Sequence, residues 1–172
     1  MTLIPRRAYN QPVAGDEEIQ SRLLITMVET QTLAIVIAIY NEQENLPELF
    51  RRLRETFGRM PDIAPTVIYV NDGSSDDSLR IMLEQRTEDP RFTVIDLSRN
   101  FGHQHALKAG MNYAKGDVVI SMDADMQHPP EIINEMLQKW REGYDIVYTI
   151  RNEENTSFLK RFTSKFFYKI FN

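Results

Sequence analysis

The sequence predicts an α/β fold in which a mostly parallel sheet is flanked by helices. From Leu33 onward, short apolar runs alternate with segments whose apolar residues recur at helical spacing. The run Leu33–Tyr40 is apolar throughout, as expected of a strand that is covered on both faces. Strands and helices that alternate in this way are typical of parallel sheets with right-handed crossovers.

The strands are expected at the short apolar runs and the helices between them. In chain order the predicted strands are Leu33–Tyr40, Thr66–Val70, Phe92–Leu97, Asp117–Met122 and Asp145–Ile150. The predicted helices are Asn45–Gly58, a segment from Ser74 or Ser75 to Arg86, Gly102–Lys115 and Pro130–Glu142.

Glycine, serine and proline mark where these helices begin and end. Gly58 ends the first helix and Gly116 follows the third, as glycine does at helix C-termini. Ser74 or Ser75 is the expected N-cap of the second helix. Pro130 begins the fourth helix, where its missing N–H costs nothing.

Composition excludes several classes of protein. The 172 residues contain no cysteine, which excludes disulfides, zinc–thiolate sites and a thiol nucleophile. The net charge of −5 argues against general nucleic-acid binding. No run reaches the roughly 18 apolar residues of a membrane span, and the N-terminus has no apolar stretch of the secretory-signal type.

The ends of the chain differ from its middle. Residues 1–31 show no clean periodicity and are expected to be a loosely ordered extension, whereas residues 32–154 are expected to fold as the domain. Residues 155–172 place Phe158, Phe162 and Phe166 on one helical face and carry four cations and no acid. This pattern favours an amphipathic helix at a membrane surface, although a helix of the domain with a solvated basic side would have the same pattern.

Polar residues follow each predicted strand. Asn41 and Glu42 follow the first strand, Asn71 and Asp72 the second, Arg99 and Asn100 the third, Asp123 and Asp125 the fourth, and Arg151 the fifth. In open parallel sheets, ligands bind beyond the carboxyl ends of the strands. We therefore expect these residues to form one binding edge.

Asp123 and Asp125 are the most informative pair of this edge. On an extended segment, residues two apart point to the same side. Two carboxylates on one side of a strand end suit Mg²⁺ or Mn²⁺, which would share its other ligand positions with water and a substrate's phosphates. A structural pair of exposed acids is the alternative, but adjacent like charges are unfavourable without a neutralising cation.

The other polar strand ends have structural alternatives. Asp72 could accept a hydrogen bond from a nucleobase or a ribose hydroxyl. Gly73 is as consistent with a tight turn as with a role in binding. Tyr40 and Glu42 could bind a base and a ribose. Alternatively, the Tyr40 ring only packs against the sheet and Glu42 only favours the start of the next helix. The His103-x-His105 spacing is read as solvation or capping rather than as a metal site, because no third ligand is near in sequence.

The chain resembles glycosyltransferases of the GT-A fold, family 2. The strings that carry this resemblance are IVIAIYNEQENL, VIYVNDGSSDDS, LSRNFGHQHALKAG and VISMDADMQHPPE, in that order. The most similar branch loads a sugar onto a polyprenyl phosphate, as dolichyl-phosphate mannose synthases and undecaprenyl-phosphate sugar transferases do. The resemblance implies a Rossmann-like GT-A nucleotide-sugar-binding domain at residues 32–154.

The resemblance also implies the site residues. The nucleotide-sugar-binding residues would be Ala38, Tyr40, Glu42, Val70, Asp72, Asp123, Ala124, Asp125 and Arg151. Asp123, Asp125 and Gln127 would hold the Mg²⁺ or Mn²⁺ of a DXD motif, and Asp123, Asp125 and Arg151 would be the catalytic groups. Ala38 departs from relatives, which often have proline there.

The implied activity is a metal-dependent, inverting transfer of a sugar from a nucleoside diphosphate, with UDP favoured over GDP, to a polyprenyl phosphate. Relatives continue with an acceptor-side segment and usually two membrane spans, so the resemblance implies a chain truncated before both. It also implies a full-length protein at the cytoplasmic face of the membrane, and exposed aromatic faces make a homo-oligomer conceivable. The alternatives are a nucleotide-sugar-binding module without turnover and a family 2 transferase with a non-lipid acceptor.

Overall fold

The computed structural model describes residues 2–5, 30–127 and 129–149. Its strands are β1 (Thr2–Pro5), β2 (Gln31–Ile39), β3 (Ile63–Asn71), β4 (Phe92–Asp96), β5 (Val118–Asp123) and β6 (Tyr144–Tyr148). Its helices are α1 (Leu46–Gly58), α2 (Ser78–Glu88), α3 (His103–Tyr113) and α4 (Ile132–Arg141). The predicted alternation of strands and helices is confirmed. Within these residues, no helix combines the length and apolar character that a membrane crossing requires.

The main sheet is parallel, as the sequence predicts. It has four strands in the order β4-β3-β2-β5, and every neighbouring pair runs in the same direction. In the register of β2, Ala38 stands opposite Val70 on one side and opposite Asp123 on the other. The carboxyl ends of β2, β3 and β5 therefore meet at one edge of the sheet.

The last strand does not extend this sheet. The sequence predicts that Asp145–Ile150 adds to the parallel sheet, but β6 pairs antiparallel with β1 in a separate two-stranded sheet. β1 lies within residues 1–31, where the sequence pattern indicates no strand. An apolar run favours a strand without specifying its partner, so the pairing is not readable from the pattern.

Side chains of the central strand alternate between two covered faces. The odd-numbered residues of β2, such as Ile35 and Ile37, pack with α1, α2 and α4 in a large cluster of leucine, isoleucine and aromatic side chains. Phe50, Tyr69 and Phe92 lie in this cluster with ring centroids 5.3 to 5.9 Å apart. The even-numbered residues of β2 pack with α3 in a smaller cluster built mainly of alanine and valine.

Close approach holds α3 on the smaller face. A Cβ atom on Gly110 would lie 2.4 Å from Val36 Cγ1 and 2.9 Å from Val70 Cγ2. Glycine is therefore the residue that lets the helix backbone reach the sheet at this point. This contact fixes the distance between α3 and the strands β2 and β3.

The second helix begins later than its serines suggest. The sequence predicts an N-cap at Ser74 or Ser75, whereas α2 starts at Ser78 with Asp77 at the cap position and no side-chain capping hydrogen bond. The two serines instead bond to the loop that follows β2, through Asn41. A serine signals a local hydrogen bond to the backbone, and a neighbouring loop can take that bond in place of a helix.

Candidate functional site

The ends of β2, β3 and β5 open into a cavity of about 420 Å³. Its walls include the predicted site residues Ala38, Tyr40, Glu42, Asp72, Asp123, Ala124 and Asp125. Ile39, Asn100, Gly102 and His103 complete the lining. The structure thus brings most of the predicted nucleotide-sugar-binding residues to one place.

Hydrogen bonds join the loop after β2 to the loop after β3. The Asn41 N–H donates to Ser74 Oγ at 3.0 Å, and Asn41 Oδ1 accepts from the Ser75 N–H at 2.8 Å. Asn41 has a φ of 55°, a left-handed conformation that asparagine tolerates better than most residues. The loop that carries Tyr40 and Glu42 is therefore held in one position by its neighbour.

A second set of bonds continues this connection toward α2. The Glu42 N–H donates to Ser78 Oγ at 2.9 Å, and the Gln43 N–H donates to Asp76 Oδ2 at 3.1 Å. Burial raises the pKa of Asp76, but hydrogen bonds from Ser78 and Gln43 outweigh it and lower that pKa overall. Asp76 thus stays ionised as an acceptor for this loop, and the cavity wall at Glu42 is fixed before any ligand arrives.

Asp72 ties the loop before α3 to the end of β3. The residue is 2% exposed, and its carboxylate accepts the Phe101 N–H at 2.7 Å and the Gly102 N–H at 3.0 Å. Gly73 has a φ of +67°, and a Cβ there would lie 2.4 Å from the carbonyl carbon of Arg99. The structure therefore assigns Asp72 a bracing role in addition to its place in the cavity wall.

Asp123 and Asp125 stand at the opposite wall. Asp123 is the last residue of β5, and Asp125 Oδ1 accepts the Gln127 N–H at 3.0 Å in a turn where Met126 has a φ of 62°. The described residues contain no group of three or more His, Asp or Glu side chains arranged to hold a metal ion. Two carboxylates beside an open cavity nevertheless fit a divalent cation that shares its ligand positions with phosphate and water, the usual pattern for Mg²⁺.

His103 lies beside Asp123, and the sequence analysis does not predict this contact. Its Nε2 is 3.5 Å from Asp123 Oδ1, and its ring lines the cavity. Asn100 and Gly102 of the same loop also line it. The position of this loop in the sequence could have indicated a place in the cavity wall, because the loop follows β4, the strand next to β3.

Some predicted residues lie elsewhere. Val70 is fully buried in the small cluster under α3 and is not part of the cavity wall. Gln127 contributes its backbone N–H to the turn, and its side chain is not in that wall. The guanidinium of Arg99 lies over the Phe101 ring at 4.1 Å. Arg151 and the 155–172 segment lie outside the described residues.

Solved structures support the same fold. A mannosyltransferase from Pyrobaculum calidifontis, solved with GDP-Man and Mn²⁺, superposes with a TM-score of 0.54 at 22% identity, covering 63% of this chain and 31% of that one. At this identity the match establishes the fold alone. The α/β architecture is thus that of the GT-A glycosyltransferases.

Two curated relatives are much more similar in sequence. An uncharacterised glycosyltransferase of Synechocystis is 47% identical over 142 residues, covering 82% of this chain and 44% of the relative. An undecaprenyl-phosphate 4-deoxy-4-formamido-L-arabinose transferase of Klebsiella pneumoniae is 38% identical over 146 residues, covering 83% of this chain and 43% of the relative. The chain therefore spans less than half the length of the relatives it matches.

A family model settles the assignment at the level of the domain. The model of glycosyl transferase family 2 matches residues 34–172, a range that begins inside β2 and includes every residue that lines the cavity. All of the parallel sheet except the first three residues of β2, and the carboxylates at its edge, lie within this match. The chain therefore belongs to glycosyl transferase family 2.

Proposed function

We propose that this chain forms the donor-binding part of a metal-dependent, inverting glycosyltransferase that moves a sugar from a nucleoside diphosphate to a polyprenyl phosphate. The observation that carries the proposal is one cavity with Glu42 and Asp72 on one side and Asp123 and Asp125 on the other. The lipid acceptor is supported by the Klebsiella relative, which is named for undecaprenyl phosphate.

The two walls suit different parts of the donor. Tyr40 is 48% exposed, so its ring offers a surface for a nucleobase, and the Glu42 carboxylate can accept from a ribose hydroxyl. Asp72 still has lone pairs beyond its two backbone bonds and can accept one further hydrogen bond. UDP is the favoured nucleotide, and GDP is the alternative.

Asp123 and Asp125 are the residues that would hold Mg²⁺ or Mn²⁺, with Gln127 as a candidate third ligand. The ion would supply positive charge to the diphosphate when bound. Arg151 is proposed as a second positive group on the diphosphate. Together these groups would offset the acidity of the cavity, which on its own repels an anionic donor.

The transfer itself requires alignment more than proton removal. A lipid phosphate is already anionic at neutral pH, so one of its oxygens can form a bond to the anomeric carbon without a protein base. The bond from that carbon to the nucleoside diphosphate breaks and its electron pair leaves with the diphosphate. Attack from the opposite face inverts the anomeric centre, and the chain's task is to hold the two reactants in line.

Binding experiments test the donor site. We expect UDP or GDP to bind the chain more tightly with Mn²⁺ than without it in calorimetry. Asp125→Asn should reduce this metal-dependent gain about tenfold or more, by analogy with the loss of other metal-binding groups. Asp62→Asn is the control, because Asp62 is a surface carboxylate that pairs with Arg141 outside the cavity. An Asp125→Asn variant with unchanged Mn²⁺ dependence would contradict the proposal.

A second candidate is a module that binds nucleotide sugars without turnover. The observation in its favour is that the cavity residues assigned above serve the donor and its cation, and none of the described residues is assigned to an acceptor. A transfer assay with a polyprenyl phosphate and a short-chain alcohol phosphate, using the protein at the full length of its relatives, separates the candidates. Metal-dependent donor binding without transfer by that longer protein would favour the module. Transfer only to the short-chain phosphate would favour a family 2 transferase with a non-lipid acceptor.

A further inference from the structure

The loop between β4 and α3 forms a third wall of the cavity. It contributes Asn100, Gly102 and His103, which stand between the two walls described above. The donor-binding scheme gives no role to any side chain of this loop. The imidazole of His103 lies beside Asp123, one of the proposed cation ligands, with Nε2 at 3.5 Å from Oδ1.

The loop is held rigidly at both of its ends. Asp72 accepts the N–H groups of Phe101 and Gly102, and the loop backbone packs against Gly73 so closely that a Cβ there would lie 2.4 Å from the Arg99 carbonyl carbon. Downstream, the contact of Gly110 with Val36 fixes α3, whose first residue is His103. The backbone of His103 is therefore fixed, and this restricts the positions that its side chain can reach.

The sequence analysis expects solvation or capping for His103, and its side chain is indeed 47% exposed, but it does not cap α3. The cap position of α3 is Gly102, with a φ of 93° and no side-chain capping hydrogen bond. His103 is the first helical residue, and its ring turns toward Asp123, with Nε2 at 3.5 Å from Oδ1. His105, two residues further on, does not line the cavity, although both side chains are exposed.

A direct metal-ligand role for His103 is not supported either. Among the described residues no set of three or more His, Asp or Glu side chains has the arrangement of a metal site. What the geometry offers is an N–H donor beside a carboxylate that is itself placed to hold a cation. Metal-ligating carboxylates are commonly oriented by such outer hydrogen bonds, and losing one typically costs about 10- to 100-fold in metal affinity.

We propose that His103 is a positioning residue, whose Nε2–H donates a hydrogen bond to Asp123 and orients that carboxylate for the cation and the donor's diphosphate. This inference rests on the proposed function, because it concerns the same cation site. The separation of 3.5 Å is longer than an ideal hydrogen bond. Such contacts often tighten only when a site is loaded, so we expect the bond to shorten with donor and cation bound.

The first experiment measures binding in three variants of the chain. His103→Leu removes the donor at similar size, His103→Gln keeps an N–H donor, and His105→Leu is the control on the same helix. With UDP or GDP at saturation, we expect His103→Leu to weaken Mn²⁺ binding about tenfold or more, and His103→Gln to recover most of it. His105→Leu should leave nucleotide binding without metal within about twofold of the parent chain, and His103→Leu should lose more nucleotide binding with Mn²⁺ than without it.

Two results of this experiment would overturn the inference. One is Mn²⁺ affinity of His103→Leu equal to that of the parent chain. The other is an equal loss of metal-dependent and metal-free nucleotide binding, which would make His103 a general structural support. Thermal unfolding of each variant checks that the fold is intact.

A second experiment tests the contact without any ligand. In nitrogen NMR of the imidazole rings, Asp123→Asn should shift the His103 resonances and leave those of His105 in place. If the parent chain binds neither Mn²⁺ nor nucleotide, the proposed function fails, while a His103 shift would still report the contact. An unmoved His103 resonance would overturn the positioning role whatever the binding data show.

Discussion

The two faces of the parallel sheet are built on different principles. One face is covered by α1, α2 and α4 through large side chains, including the Phe50–Tyr69–Phe92 cluster. The other face is covered by α3 through alanine, valine and Gly110. The large face buries most of the apolar surface and so supplies most of the hydrophobic stabilisation. The small face buries less, but its close contacts set where α3 begins.

The difference matters because the cavity depends on the small face. The loop before α3 lines the cavity, and its position follows from how deeply α3 sits on β2 and β3. Changes on the large face should therefore act on global stability. Changes on the small face should act on stability and on ligand binding together.

The largest effect is expected on the large face. Leu53 is fully buried there, and Leu53→Ala should destabilise the chain by about 2–5 kcal/mol in urea denaturation, because it leaves a cavity in a close-packed core. Leu83→Ala is the matched control, since Leu83 is 45% exposed, and it should change stability by about 0.5 kcal/mol or less. Equal losses in the two variants would contradict the packing described here.

A smaller but more informative effect is expected on the small face. Gly110→Ala places a methyl 2.4 Å from Val36 Cγ1 and should cost about 1–3 kcal/mol through overpacking. It should also weaken nucleotide binding, because α3 and its preceding loop must move outward. Adding Val36→Ala should restore part of both losses by making room.

Gly58→Ala is the control for this prediction. Gly58 ends α1, and a Cβ there meets nothing within 4 Å. That substitution should be neutral or stabilising by about 0.4–1 kcal/mol, because alanine has less freedom than glycine in the unfolded chain. If Gly110→Ala lowered stability without affecting nucleotide binding, the link between the small face and the cavity would be wrong.

The smallest effect is expected at the rim of the large face. Arg52 of α1 pairs with Glu131 beside α4, with Arg52 Nε 2.9 Å from Glu131 Oε1. The hydrogen bond from Arg52 holds the pKa of Glu131 below its ordinary value. Glu131→Gln should cost about 0.2–1 kcal/mol at neutral pH, as exposed ion pairs do, and less at high salt.

The sign of the pH dependence follows from that lowered pKa. The contribution of Glu131 is present above its unfolded pKa and is lost as the pH falls through the lower folded value. Urea denaturation from neutral to acidic pH should therefore show parent and Glu131→Gln converging in acid. Glu44→Gln is the control, because Glu44 is exposed and forms no ion pair within the described residues, and it should change stability by about 0.5 kcal/mol or less.

The sequence predicts the main sheet well because its signal is local and repeated. The apolar run Leu33–Tyr40 predicts a strand covered on both faces, and β2 is covered on both. Asp123 and Asp125 are expected at the edge of the sheet because they follow a predicted strand, and both line the cavity there. The partner of β6 could not be predicted, because antiparallel pairing with Thr2–Pro5 joins residues far apart in the chain. The Asp72 brace and the approach of His103 to Asp123 also depend on tertiary contacts, which residue types alone do not reveal.

The brace formed by Asp72 has a consequence for hydrogen exchange. The amides of Phe101 and Gly102 lie in a loop, where exchange with solvent is normally fast, yet both donate to a carboxylate that is 2% exposed. The Gly102 N–H is shared with Asn100 Oδ1 of the same loop, so Phe101 is the cleaner reporter, and its proton exchanges when the loop lifts away from β3. The Phe101 amide therefore reports the opening of the cavity wall itself, and its exchange rates in the free and nucleotide-bound chain would give the free energy by which a ligand keeps that wall closed.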